Sequence, residues 1–176
     1  MVNGTENREY KILILAIVND FPGAVEYGEA VEILSRAMRM PIMELTDYII
    51  SLEDARLLRR YPRGDKMCLG VTNYGQGAAM DALPSIRYID VDAVMERARY
   101  EYDRVVNGIS YSVELVPSEE DGGCVVDYIC KSRGKLRCRV SVFYSSFAHA
   151  DAALKRIEDD PVYFRRYISM YLDRER

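Results

Sequence analysis

The side chains with the most chemical potential in this sequence are one histidine, His149, flanked by Ser145, Ser146 and Asp151, and four cysteines, Cys68, Cys124, Cys130 and Cys138. Serine, histidine and aspartate are the residue types of a hydrolytic triad. Here they crowd into one short stretch at a helix start, where serine and aspartate serve as caps, and a triad needs a separately supported base and an oxyanion hole. No catalytic residue is therefore assigned, and the chain reads as a non-enzyme. The cysteines have no CxxC spacing and a single histidine to help them, so a zinc site would need unusual partners. They read as reduced, mostly buried thiols, and neither metal nor cofactor is expected. Gly75-x-Gly77 precedes no phosphate-loop lysine. Glu119-Glu120-Asp121 reads as a solvated loop, with a weak divalent-ion site as its alternative.

The remaining chemistry is electrostatic. Arg56, Arg59, Arg60, Arg63 and Lys66 place five cations in eleven residues, the residue type that neutralises phosphates. The chain as a whole carries a net charge of -4, which is no general footprint for nucleic acid. Any DNA contact must come from this local patch.

The elements that position the patch can be read from periodicity. Pro41 suits a first helical turn, and Ile42, Leu45, Ile49 and Leu52 recur at helical spacing as a buried stripe. A step of about 100° per residue then turns Met43, Glu44, Asp47, Ile50, Ser51 and Asp54 outward. Leu57–Tyr61 and Met67–Val71 read as a hairpin around a turn at Pro62–Lys66, and Thr72 is placed to cap the next helix. Upstream, one helix spans about Asn7–Asn19, with Ile12, Leu13, Ala16 and Ile17 inward. A second spans about Glu26–Met38, with Val31, Leu34, Ala37 and Met38 inward.

Leu83-Pro84-Ser85 reads as a domain boundary, dividing residues 1–84 from 85–176. The second part opens with a linker helix over 90–107, stopped by Gly108. Alternation in Ile109–Leu115 predicts a strand, and strands at about Cys124–Cys130 and Leu136–Phe143 complete a three-stranded antiparallel meander. With two central residues in the turn at Ser132–Lys135, Ile129 falls opposite Cys138, which sets Cys130 and Cys138 on opposite faces and excludes a bridge. Helices at about Ser146–Glu158 and Pro161–Leu172 close the chain. On the last one Tyr163, Phe164, Tyr167, Ile168 and Tyr171 form a broad aromatic face, read as a homodimer contact.

The order LTDYIISLEDARLLRRYPRGDKMCLGVTNYGQGAAM resembles the second half of a winged helix-turn-helix domain: recognition helix, wing, then the opening of a last helix. Ala55 stands where such domains often carry glycine. With LPSIRYIDVDAVMERARYEYDRVVNG, YSVELVP and FAHADAALKRI following, nearly the whole chain resembles a bacterial domain-of-unknown-function family, number 4364, whose members are described as winged-helix regulators. The resemblance implies an α+β fold, an N-terminal winged helix-turn-helix followed by a three-stranded antiparallel sheet with flanking helices.

It also implies a DNA-binding transcriptional regulator acting on double-stranded DNA. Met43, Thr46, Asp47, Ile50 and Ser51 would lie on the helix, Arg59, Arg60, Arg63 and Lys66 on the wing, and the second half would dimerise or sense a small-molecule effector. The competing reading is a winged-helix module that binds a protein partner through exposed Met43 and Ile50. No basic residue lies on the helix face, and Glu44, Asp47 and Asp54 would oppose phosphates. A polar start and an apolar run only from Ile12 to Val18 predict no signal peptide or membrane span, hence a cytoplasmic location.

Overall fold

The structure, a computed structural model, describes residues 4–118, 123–160 and 162. It is an α+β chain of two compact units, Met1–Val106 and Asn107–Arg176.

The first unit is built around α1 (Gly4–Asp20). A stripe is expected there, yet every residue from Ile12 to Val18 is buried. A helix apolar on all sides must be enclosed on all sides, and α2 (Tyr27–Met38), α3 (Ile42–Asp54), α4 (Asn73–Ala82) and α5 (Val91–Val105) all pack against it. A short strand β1 (Val25–Glu26) joins the hairpin β2 (Leu58–Arg63) and β3 (Lys66–Val71) in an antiparallel sheet of order β1-β3-β2. The elements of this unit run in the order α1-β1-α2-α3-β2-β3, and the β2–β3 hairpin stands where the wing is expected.

Three local solutions shape the region between α2 and α4. Helix α2 ends at Arg39 (φ 53°), with Met40 N–H donating to Ser35 O at 2.9 Å. Helix α3 ends in the same way at Arg56 (φ 58°), with Leu57 N–H donating to Leu52 O at 2.9 Å. The left-handed position therefore falls on Arg56 rather than on Ala55, and an arginine occupies a site where glycine is usual. The hairpin turn is tighter than expected: Arg63 pairs with Lys66, leaving only Gly64 and Asp65. Gly64 (φ 64°) supplies the positive φ that such a two-residue turn needs at its first central position. Pro62 is tolerated because β2 is an edge strand.

The boundary expected near Leu83-Pro84-Ser85 lies instead after α5. Val94 and Ala98 are buried in the first core, with Leu83, Ile86, Ile89 and Val91 packed against it. Both oxygens of the buried Glu9 carboxylate accept from Arg87 N–H (3.2 Å) and Tyr88 N–H (3.3 Å). Arg97 Nε donates to Ala37 O at 2.8 Å, and Arg104 pairs with Glu32 at 2.5 Å. Proline does end helical structure there, but as a single 3-10 turn (Leu83–Ser85) rather than a linker.

In the second unit β4 (Ile109–Pro117), β5 (Cys124–Ser132) and β6 (Lys135–Tyr144) form the expected antiparallel meander. Helix α6 (Phe147–Asp159) lies on one face, where Cys124, Val126, Tyr128, Ala150 and Ile157 are buried together. The β5–β6 turn has the two central residues assumed, Arg133 (φ 49°) and Gly134 (φ 77°), both in the left-handed region. The register then departs from the expectation. Lys131 pairs with Leu136 but Cys130 pairs with Cys138, leaving Arg137 as a bulge, so the two cysteines are directly opposed. The aromatic face of Tyr163, Phe164, Tyr167, Ile168 and Tyr171 lies outside the described residues, as does Glu119-Glu120-Asp121.

Candidate nucleic-acid interface

Helix α3 buries Leu45, Tyr48, Ile49 and Leu52, positions at i, i+3, i+4 and i+7 of one face. Tyr48 was absent from the expected stripe. It packs beside Tyr10 with ring centroids 6.0 Å apart, and its hydroxyl bonds Asn7 and Glu44. Ile42, expected inward, is 57% exposed. It begins the helix, one turn before the core is reached, so periodicity alone places it wrongly. The outer face presents Met43, 84% exposed, with Ile50, 44% exposed, and the exposed Asp47 and Asp54.

Two of the expected helix contacts are already engaged. The Thr46 hydroxyl donates to Ile42 O of the preceding turn at 2.7 Å. The Ser51 hydroxyl accepts from Lys11 Nζ at 2.7 Å, which turns it toward α1 and away from any groove.

The wing divides by strand alternation. Arg60 shares a face with Leu58, which is buried, and so points back at the body of the unit. Its Nε and Nη2 donate to the two Glu53 carboxylate oxygens, 2.8 Å each, and its guanidinium lies 4.1 Å from the Tyr27 ring centroid. That bidentate bond to Glu53 holds the Arg60 pKa above its ordinary value. Arg60 is thus a tether between wing and helices. Lys66 sits at the hairpin end, bonded to Glu26 at 2.8 Å, and the same bond raises its pKa.

Arg59 and Arg63 lie on the opposite face. Arg59 rests 5.4 Å over the Tyr61 ring, and among the described residues neither arginine has a carboxylate within salt-bridge distance. Arg59 and Tyr61 also border a cavity of about 210 Å³ lined by Val18, Asn19, Gly23 and Leu69. Glu53 and Glu26 were not part of the expected site. Glu53 lies only seven residues before Arg60 and Glu26 forty before Lys66, and neither carries a local signal of the cation it will engage.

Gly75 owes its identity to packing. A Cβ there would sit 2.1 Å from Leu57 O, and its N–H donates to Thr72 Oγ1 at 3.0 Å, the cap expected at that position. Around His149 the groups do not converge: His149 is exposed, Asp151 pairs with Lys155 at 2.7 Å, and Ser146 stands at the α6 N-cap without a side-chain bond to it. Among the described residues no three histidine, cysteine, aspartate or glutamate side chains gather as metal ligands, and no helix is long and apolar enough to cross a membrane. Comparison with known proteins returned no matching family model, no matching curated protein and no matching solved structure.

Proposed function

We propose that the chain is a cytoplasmic, DNA-binding transcriptional regulator of the winged helix-turn-helix type, related to domain-of-unknown-function family 4364. The observation that carries this reading is the face of the wing opposite Arg60, where Arg59 and Arg63 stand exposed and, among the described residues, have no carboxylate within salt-bridge distance. Arginines free of internal ion pairs are available to displace counterions from phosphates. Arg60 and Lys66 hold the wing in place instead of reading DNA, and Met43 and Ile50 are suited to thymine methyl groups rather than to hydrogen bonding with base edges.

Anisotropy with a labelled random-sequence duplex across a salt series tests it. Arg63→Ala should weaken binding on all sequences and make the salt slope shallower by about 1, whereas Arg60→Ala should lower the folding stability and leave the salt slope unchanged. Absence of duplex binding at low salt would overturn the reading.

A second reading, a protein-binding module, is favoured by one specific observation: Ile42, Met43 and Ile50 expose apolar surface on a helix face without a cation. Met43→Asp would abolish a salt-insensitive association while leaving a wing-mediated one nearly intact. A homodimer belongs to the same proposal, and sedimentation of the full chain at micromolar concentration decides it.

A further inference from the structure

We propose that Cys130 and Cys138 form a reversible dithiol–disulfide site whose reaction partner is a low-molecular-weight disulfide of the glutathione class. The two residues are directly opposed on β5 and β6, and directly opposed antiparallel residues have Cα atoms about 4.5–5.5 Å apart, inside the span a disulfide bridges. Opposed residues also project from the same face of a sheet. The arrangement depends on the bulge at Arg137: with the tight Arg133-Gly134 turn and a regular ladder, Cys130 would face Arg137 instead. Bulges are built features that re-aim particular side chains.

Access separates this pair from the other two cysteines. Cys68 and Cys124 are buried, whereas Cys130 and Cys138 are partly exposed, and all four are thiols in this structure. Solvent-reachable thiols are the ones open to exchange.

The chemistry balances. One thiolate attacks a sulfur of the oxidised small disulfide, forming a mixed disulfide and releasing one small thiolate. The second thiolate attacks the protein sulfur of that mixed disulfide, forming the Cys130–Cys138 bond and releasing the second small thiolate. The protein loses two hydrogens and the small disulfide becomes two thiols. A small thiol in excess reverses both steps.

Incubating the full chain with oxidised glutathione and mapping its peptides by mass spectrometry tests this. The expected result is a peptide pair joined through Cys130 and Cys138, a fall from four reactive thiols to two in the denatured protein, and full reversal by dithiothreitol. Cys138→Ser should leave Cys130 as a lasting glutathione adduct. Separate adducts on Cys130 and Cys138 without a bridge, a bridge to Cys68 or Cys124, or linkage between two chains would each overturn the assignment.

Discussion

The two units solve burial in opposite ways. In the first, the Ile12–Val18 segment of α1 is apolar around its whole circumference and is enclosed by other helices and β3. In the second, among the described residues, one helix covers one face of a three-stranded sheet, and Val116, Leu136, Val142, Phe143 and Phe147 are exposed. The central strand nevertheless buries Asp127, which alternation places on the face away from α6. There Arg139 and Ser141 bond its carboxylate and cover it. The helix-wrapped core buries one carboxylate, Glu9, against backbone N–H groups, whereas this thin sheet closes its second face in part with a hydrogen-bonded ion pair.

The comparison breaks first at the cores. Leu45→Ala or Ile49→Ala should cost about 2–5 kcal/mol, because both sites are fully enclosed, whereas Val126→Ala should cost no more than about 2 kcal/mol. Chemical denaturation of each variant measures this, and equal costs would mean that the second core is as closed as the first.

The close approach of α4 to the segment before β2 comes next. Gly75→Ala should destabilise by about 3 kcal/mol through its clash with Leu57 O. Gly77 has open space around it, so Gly77→Ala should stabilise by up to about 1 kcal/mol through helix propensity. Thermal melts of the pair separate packing from propensity.

A smaller gain is expected at the ends of α2 and α3. Arg39→Gly and Arg56→Gly relieve left-handed backbone and should each add about 0.5–1 kcal/mol in urea titrations. For Arg56 the same variant removes an exposed cation from the wing region, so stability should rise while duplex affinity falls.

The smallest effect is a pH dependence confined to the second unit. The Arg139 hydrogen bond, then that of Ser141, hold the Asp127 carboxyl below the ordinary aspartate range. A folded-state value below the unfolded one gives stability that is present above the unfolded value and lost as pH falls through the folded one. Acid titration followed by circular dichroism should show this loss below the ordinary aspartate range, and Asp127→Asn should flatten it. An unchanged titration would mean that the pair contributes cover but no charge-dependent stability.

Much of the fold was legible because local signals agreed with the tertiary outcome. The helical spacing of Leu45, Ile49 and Leu52, the alternation in Ile109–Leu115 and the capping hydroxyl of Thr72 each reflect a constraint that acts within a few residues. Where elements from far apart in the chain meet, the reading failed. Glu9 reaches the backbone at Arg87 and Tyr88, Glu26 engages Lys66, and Lys11 engages Ser51.

Apart from the short strand β1, the sequence by itself thus indicated the described elements and their order, since the periodicity of apolar side chains and the backbone needs of proline and glycine are local properties. Only the tertiary structure decided which wing cations find an acidic partner, that α5 belongs to the first core, and that Cys130 faces Cys138. Partner choice and register depend on the three-dimensional approach of distant segments. A single bulged residue, silent in the hydrophobic pattern, is enough to change which side chains meet.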